Sequence, residues 1–211
     1  SVNPACSSNI TRTLAVLAPT ANIAIDKPKF CLGETIRVHM LDTNNILGWN
    51  WYFGDGANTG TVLANSMPTQ TISYPYQYFP PPFGAAVIDL VYFSSGYLCP
   101  STATLGIQVT KVSADFNRNM EIAAGDSVHC LNIVDQFINK SKLNNSTFVP
   151  TLMYNWDFGN GSVSTATNPT YVYPVPGVYA VTLTVTEPLV NCKNVSVKNM
   201  TINPIPDVSI F

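Results

Sequence analysis

The phrase "WNWYFGDG" at residues 49–56 returns in nearly the same form as "YNWDFGNG" at residues 154–161. A catalytic motif is rarely duplicated at domain spacing inside a short chain, whereas a folding motif is duplicated whenever a domain is. The echo therefore predicts an internal repeat, and each copy is expected to mark the same place in one repeated domain.

Each copy of the phrase has the pattern of a half-buried strand that runs into a turn. Large apolar side chains alternate with others over residues 49–53 and again over residues 154–158, and a period of two is typical of a strand with one buried face. The glycines in residues 54–56 and 159–161 tolerate positive φ. These residues predict a two-residue hairpin turn of the primed type in each repeat.

The composition is that of a globular chain rather than a disordered one. Of the 211 residues, 46% are hydrophobic and only 10% are charged, with a net charge of −2. A chain of this charge offers no electrostatic basis for binding nucleic acid. No apolar run is long enough for a membrane helix, and the N-terminus lacks the basic start and apolar core of a signal peptide. The sequence resembles a mature or excised piece of a protein.

The five cysteines fall into two classes of position. Cys6, Cys99 and Cys192 each stand ten residues before an aliphatic residue of an alternating strand, so they open three versions of one late segment. Cys31 and Cys130 each precede a copy of the repeated phrase. Each complete repeat therefore holds one early and one late cysteine.

This placement predicts one disulfide per repeat, joining Cys31 to Cys99 and Cys130 to Cys192. The loops so closed would span 68 and 62 residues, and closure of loops that long is worth about 4 kcal/mol in the chain-entropy model. Disulfides imply an oxidising compartment and hence export. Buried free cysteines are the alternative, and a zinc site is less favoured because no C-x-x-C pair is present.

Residues 154–185 resemble the polycystic kidney disease (PKD) domain, an immunoglobulin-like β-sandwich. Its hallmark reads W-x-F-G-D-G, then N-P, then Y-x-x-P-G-x-Y-x-V-x-L-x-V. The residues that fall on this pattern are Trp156, Phe158, Gly159, Gly161, Asn168, Pro169, Tyr173, Pro176, Gly177, Tyr179, Val181, Leu183 and Val185. Asn160 replaces the usual Asp, which a turn accepts.

The first repeat fits the PKD pattern more loosely. It keeps the full W-x-F-G-D-G phrase from Trp51 and a matching strand after Gly84, but it lacks the N-P step and carries twelve extra residues between those points. We therefore expect an all-β chain of tandem PKD-type sandwiches, which many short alternating segments and 16 prolines also favour. The expected domains are residues 20–111 and 112–205, flanked by the last strand of a preceding repeat (residues 1–19) and the start of a following one (residues 206–211).

The sequence contains few features that would predict a catalytic site. His39 and His129 occupy equivalent strands of the two repeats, so their place in the fold explains them better than metal binding does. No G-x-S-x-G, H-E-x-x-H or P-loop motif is present. We expect no enzyme activity and no cofactor. A calcium role for Asp55, known for some modules of the family it resembles, is a minor alternative to its place in the turn.

The segment "SYPYQYFPPPFG" at residues 73–84 is the most suggestive feature outside the repeat pattern. Aligning Tyr76 and Tyr78 with Tyr171 and Tyr173 leaves three aromatic residues without a structural counterpart, namely Tyr74, Phe79 and Phe83. Exposed aromatic rings beside rigid prolines can stack on a sugar or dock a neighbouring protein. The simpler interpretation is that they cover the edge of the enlarged first domain.

Several Asn-x-Ser/Thr sequons are present, and "DSV" at residues 126–128 resembles the site that some gliding bacteria O-glycosylate, with Ser127 as the acceptor. Both signals agree with an extracellular, cell-surface location.

The cysteine-containing PKD pattern resembles that of giant adhesins and filament proteins that gliding bacteria export by type IX secretion. The resemblance implies a non-catalytic stalk or fibre whose partners are neighbouring repeats of the same polypeptide, and a glycan or a surface protein. The alternatives are a carbohydrate-binding accessory module of a secreted polysaccharide-degrading enzyme and a surface-layer protein. On this interpretation Cys6 pairs with a cysteine upstream of residue 1.

Overall fold

The computed structural model describes residues 21–41, 46–60, 62–63, 71–81, 84–94, 100–118, 128–144 and 152–205. Every secondary-structure element assigned in these ranges is a β-strand. The expected all-β, immunoglobulin-like fold class is confirmed. No described residue belongs to a helix of the length and hydropathy needed to cross a membrane.

Among the described residues, eight strands build the first sandwich. One sheet has three strands in the order β1-β3-β6, and the other has five in the order β2-β8-β7-β4-β5. The strands are β1 (Ile23–Ile25), β2 (Lys29–Cys31), β3 (Thr35–Met40), β4 (Ile46–Tyr52), β5 (Val62–Leu63), β6 (Thr71–Pro75), β7 (Ala85–Ser94) and β8 (Ser101–Thr110).

In the part of the second sandwich that the structure describes, ten strands are present. They are β9 (Val112–Ser113), β10 (Phe116–Arg118), β11 (Val128–Cys130), β12 (Val134–Asn139), β13 (Lys142–Leu143), β14 (Met153–Asp157), β15 (Val163–Ser164), β16 (Thr170–Val172), β17 (Gly177–Glu187) and β18 (Cys192–Asn203). The sheets run β10-β12-β16 and β11-β18-β17-β14-β15, and β9 pairs with β13.

The two sandwiches repeat one strand order. In each five-stranded sheet a short early strand, β2 or β11, pairs in parallel with the long last strand, β8 or β18. The last strand pairs antiparallel with the strand before it, which in turn pairs with the strand of the repeated phrase. The described residues form two separate hydrophobic cores, one in each sandwich.

The repeated phrase supplies the centre of each core. Trp51 and Phe53 are 1% and 2% exposed, and Trp156 and Phe158 are 0% and 2% exposed. Their alternation with outward-facing residues is the period-two pattern that the sequence predicts. Burial of such side chains stabilises each sandwich by about 2 to 3 kcal/mol per large residue.

The turn after the phrase differs from the predicted two-residue type. The N–H of Phe53 donates to the carbonyl of Ala57 at 3.1 Å, so three residues lie between the two hydrogen-bonded residues. In the second sandwich the N–H of Phe158 donates to the carbonyl of Ser162 at 3.0 Å in the same way. The glycine after each Phe has positive φ and lies against the neighbouring strand, so that a Cβ on Gly54 would stand 2.5 Å from the carbonyl oxygen of Val87. The W-x-F-G pattern therefore requires glycine for both conformation and space.

The core of the second sandwich also holds an ion pair. Arg118 Nη2 donates to Asp135 Oδ1 at 2.7 Å, and the two side chains are 8% and 2% exposed. A buried charge is costly unless it is paired. The pair therefore links β10 to β12, and each charge offsets the cost of burying the other.

Candidate functional site: the junction of the two sandwiches

A disulfide between Cys31 and Cys192 crosses the boundary between the sandwiches. Their Cα atoms lie 5.5 Å apart, although 161 residues separate them in sequence. Cys31 is the last residue of β2 and stands opposite Thr110 at the end of β8. Cys192 is the first residue of β18 and stands opposite Glu187 in the adjoining strand. The bond therefore joins the end of the first sandwich to the β17–β18 hairpin of the second.

This bond corrects the predicted pairing of Cys31 with Cys99 and of Cys130 with Cys192. Because β2 runs parallel to β8, Cys31 lies at the Thr110 end of β8, whereas Cys99 precedes its Ser101 end. Nine residue-to-residue steps of about 3.3 Å from Ser101 to Thr110 put these ends roughly 30 Å apart, and a disulfide needs Cα atoms within about 7 Å.

The same geometry separates Cys130, opposite Asn203, from Cys192 at the other end of β18. Cys130 is free and exposed. Cys6 and Cys99 lie outside the described residues.

A single residue, Lys111, links the two sandwiches between Thr110 and Val112. Its N–H donates to Asn144 Oδ1 at 2.9 Å, and its carbonyl accepts the N–H of Asn144 at 2.8 Å. Its ammonium stands over the ring of Phe79 in the first sandwich, 5.9 Å from the centroid. The linker is thus held from both sides, by two hydrogen bonds to Asn144 of one sandwich and a cation–π contact to the other.

The hairpin that presents Cys192 is shaped by a buried carboxylate. Glu187 is 4% exposed, and its two oxygens accept the N–H groups of Leu189 and Val190 at 3.1 and 2.9 Å. Asn191 then takes a positive φ of 58°, which Asn tolerates better than most residues. The carboxylate uses both oxygens to fix the turn in front of the disulfide.

An open cleft lies beside the disulfide. Lys29 and Gln108 line it from the first sandwich, and Leu143 and Leu189 line it from the second. Sequence reasoning missed Lys111, Asn144 and Glu187, because nothing in their local pattern shows that they meet at a domain boundary.

The aromatic segment has a structural role that the sequence alignment did not assign. The ring of Tyr74 stacks on Phe53 with centroids 3.8 Å apart, as Tyr171 stacks on Phe158 at 4.3 Å. The next tyrosine, Tyr76, donates to the carbonyl of Phe53 as its counterpart in the second sandwich does to Phe158. The predicted alignment was therefore wrong by two residues.

The true counterparts show where the first repeat is longer. Tyr74 and Tyr76 match Tyr171 and Tyr173, so the extra twelve residues divide into eight before this tyrosine pair and four after it. Two of the three residues predicted to form an exposed interaction surface, Tyr74 and Phe79, are not free aromatic rings on the surface. Tyr74 and Phe79 are half-buried and pack on the first core, and Phe83 lies outside the described residues.

Both carboxylate oxygens of Asp55 accept hydrogen bonds from its own turn and from a neighbouring tyrosine. Its Oδ1 accepts the N–H of Ala57 at 2.9 Å, and its Oδ2 accepts the hydroxyl of Tyr74 at 2.5 Å. Burial and this bond raise the pKa of Tyr74 to about 12. Burial likewise raises the pKa of Tyr76 to about 12.

The other candidate residues give no assembled site. His39 Nδ1 lies 2.9 Å from Thr71 Oγ1 on a neighbouring strand. Ser127 lies outside the described residues, and only the backbone of His129 is described. Within the described ranges no three His, Cys, Asp or Glu side chains come together as metal ligands would.

Several solved structures are similar to this chain over part or most of its length. The chain is similar to the PKD1 domain of Vibrio anguillarum Epp, with 24% identity over 44% of this chain and 95% of that domain and a TM-score of 0.35. It is similar to the PKD1 domain of the Vibrio cholerae metalloprotease PrtV, with 29% identity, coverage of 43% and 94%, and a TM-score of 0.33. A comparison with curated proteins found no match.

A third solved structure matches over more of the chain. The fibronectin(III)-like modules of Clostridium thermocellum CbhA are 10% identical, with coverage of 87% and 95% and a TM-score of 0.34. Residues 119–202 match the family model for the PKD domain, so this part of the chain is similar to that domain.

Proposed function

We propose that this chain is a non-catalytic structural and adhesive segment of a long exported bacterial cell-surface protein, an adhesin stalk or a filament. The observation that carries the proposal is the Cys31–Cys192 disulfide across the boundary of the sandwiches. A disulfide is stable in an oxidising environment, which agrees with export, and we extend the proposal to export by type IX secretion.

The disulfide changes the path that a pulling force takes through the chain. A force applied at the two ends enters through β2, crosses the sulfur–sulfur bond and leaves through β18. The residues between the two cysteines, which stand 161 positions apart in sequence, carry no tension. Extended at about 3.4 Å per residue, that segment would release roughly 550 Å of length. A stalk with this bond resists extension even when its sandwiches are strained.

The junction is also constrained against bending. Two covalent connections cross the junction, the peptide chain at Lys111 and the disulfide. Two domains joined by a single connection can bend about it, whereas the second connection restricts that motion. The paired bonds between Lys111 and Asn144 fix the linker further. A short linker held in this way acts as a spacer rather than a flexible tether.

The second candidate function is that of a carbohydrate-binding accessory module. Two exposed tyrosines of the first sandwich favour it, Tyr52 at 41% and Tyr78 at 43% exposure, because aromatic faces stack on sugar rings. Glycan binding that is lost in Tyr52→Ala or Tyr78→Ala, with an unchanged melting temperature, would support this alternative.

Localisation in the organism that encodes the chain tests the primary proposal. Antibodies against the chain should label intact, unpermeabilised cells, and non-reducing peptide maps of the labelled material should contain the Cys31–Cys192 pair. Protein confined to the cytoplasm with both thiols free would overturn the proposal.

A further inference from the structure

Asn160 occupies, in the second sandwich, the position that Asp55 occupies in the first. Each is the middle residue of the turn that follows the repeated phrase, and the glycine after it has positive φ, 91° at Gly56 and 87° at Gly161. The Oδ1 atom of each side chain accepts the N–H of the residue two positions on, at 2.9 Å for Asp55 and 3.2 Å for Asn160. The two turns therefore hold a carboxylate and a carboxamide in the same geometry.

A tyrosine hydroxyl meets the second polar atom of the side chain in both turns. Tyr74 donates its hydroxyl to Asp55 Oδ2 at 2.5 Å. The equivalent hydroxyl, that of Tyr171, accepts from Asn160 Nδ2 at 2.9 Å and donates to Ser162 Oγ at 2.8 Å. Because a hydroxyl hydrogen rotates to suit its partners, Tyr171 could donate to a carboxylate at this position as Tyr74 does. The turn of the second sandwich is thus already shaped for an aspartate.

The residue after Asn160 leaves its side-chain amide open to attack from the backbone. Gly161 has no side chain, both residues are exposed, and a Cβ built on Gly161 would meet no heavy atom within 4 Å. Because Asn160 Oδ1 bonds the N–H of Ser162, the side chain is folded back across the backbone of Gly161. The amide carbon of Asn160 therefore lies beside the backbone nitrogen of Gly161 in a place that water reaches.

Other asparagines of the chain lack this combination. Residues 160 and 161 form the only Asn-Gly pair in the sequence. Asn199 is also exposed, but it stands within β18 and precedes Met200, whose side chain is 2% exposed. A bulky residue in a strand keeps its backbone nitrogen away from the preceding amide carbon. Asn199 is therefore an internal control for the chemistry expected at Asn160.

We propose that Asn160 is a self-deamidating residue, which is converted to aspartate in the folded protein and gives the second sandwich the carboxylate that the first carries at Asp55. Water is the co-reactant, and the reaction requires no enzyme. This covalent modification goes beyond the structural function proposed above and does not depend on it. Its effect is to add one negative charge and to make the two turns chemically equivalent.

The reaction passes through a cyclic imide. The backbone nitrogen of Gly161 attacks Cγ of Asn160, and its proton goes to the departing Nδ2, so that a ring C–N bond forms and ammonia leaves. Water then attacks the Cγ carbonyl and breaks the new C–N bond, which restores the original backbone and leaves a carboxylate in place of the amide. The net change is amide plus water to carboxylic acid plus ammonia, with no oxidation or reduction.

The turn favours one of the two ways in which the imide can open. Attack of water at the other carbonyl gives isoaspartate, which adds one carbon to the main chain. The turn is closed by the N–H of Phe158 bonded to the carbonyl of Ser162 at 3.0 Å, and the same closed turn holds an ordinary aspartate at Asp55. Because isoaspartate strains this turn and can return to the imide, repeated opening accumulates aspartate.

The test is incubation of the purified, folded chain at mildly alkaline pH, followed by ion-exchange chromatography and by peptide mapping with fragmentation that distinguishes aspartate from isoaspartate. We expect the Asn160 peptide to gain the mass of an NH2-to-OH replacement, with aspartate at that position. The Asn199 peptide should keep its amide. In water enriched in heavy oxygen, the new carboxylate should carry one labelled atom.

Two variants bracket the expected change. Asn160→Asp should elute from the ion exchanger with the aged chain and should melt at or above the temperature of the fresh chain, because a carboxylate accepts a stronger hydrogen bond from Tyr171. Asn160→Gln keeps an amide on a longer side chain that would need a larger ring. It should therefore keep its mass and its elution position under the same incubation.

Three results would overturn the proposal. One is an Asn160 that keeps its amide in folded protein and loses it only after denaturation, which would show that the turn protects the residue. Another is isoaspartate as the main product in the folded chain. The third is equal deamidation of Asn160 and Asn199, which would mean that alkaline hydrolysis is general and that the turn has no part in it.

Discussion

Cys31 and Cys192 belong to different sandwiches, yet their Cα atoms lie 5.5 Å apart across the domain boundary. The bond closes a loop of 161 residues that contains most of both sandwiches. In the chain-entropy model a loop of this length is worth about 5 kcal/mol. The junction is therefore a structural element of the chain and more than a connection between two independent domains.

Removal of the disulfide should lower stability and loosen the junction. We expect Cys31→Ser to reduce the melting temperature by several degrees and to broaden the distribution of interdomain distances in small-angle X-ray scattering. Adding a reductant to Cys31→Ser should cause no further loss, because the bond is already gone. Cys130→Ser, which alters a free exposed thiol, is the matched control and should melt like the unaltered chain. Equal behaviour of the two variants would contradict the account.

Tyr74 should behave as a core residue rather than as a ligand contact. Tyr74→Ala removes the stack on Phe53 and the bond to Asp55, so we expect a loss of about 2 to 3 kcal/mol in the free energy of unfolding. The control is Tyr78→Ala, which truncates a side chain that is 43% exposed and should cost under about 0.5 kcal/mol. Denaturant unfolding measures both. A neutral Tyr74→Ala would restore the hypothesis of an exposed binding surface.

The first sandwich should lose stability at alkaline pH. The pKa values of Tyr74 and Tyr76 are raised from 10.0 to about 12, so the folded state binds protons that the unfolded state has released. Their contribution is fully present below pH 10 and is lost as the pH rises from 10 to 12. Absorbance at the phenolate band, followed with circular dichroism after Cys130 is alkylated, should show delayed ionisation that ends in unfolding. Ionisation of every tyrosine near pH 10 in folded protein would refute this prediction.

The buried ion pair should matter far more than an exposed one. Asp135→Asn leaves Arg118 buried without its carboxylate, and we expect a loss of about 3 to 5 kcal/mol. Glu34→Gln breaks the Lys27–Glu34 pair, whose side chains are 45% and 38% exposed, and should cost under about 1 kcal/mol. Chemical denaturation of both variants makes the comparison. Similar losses in the two variants would be inconsistent with the difference in burial.

The sequence predicts the sandwich fold because its signals are local. Trp51 and Trp156 stand in alternating segments that end in glycines, and a period of two specifies a half-buried strand without knowledge of its partners. The tyrosine alignment failed because the extra residues of the first repeat divide between two places. A single shared anchor at Gly84 cannot show that division.

The disulfide could not be assigned from spacing alone. Matched positions in two repeats fit a bond within each repeat and a bond between repeats equally well. The deciding fact is the direction of β2 against β8, which puts Cys31 at the Thr110 end of β8 and far from its Ser101 end. Parallel pairing of distant segments is a tertiary feature that no local pattern contains.

Single-molecule force spectroscopy, with handles at the two ends of the chain, tests the central claim most directly. Under oxidising conditions we expect extension only of the segments before Cys31 and after Cys192. Addition of a reductant should release roughly 550 Å more, the extended length of the bypassed residues, in the unfolding steps of two sandwiches. Release of that length while the disulfide is intact would contradict the account.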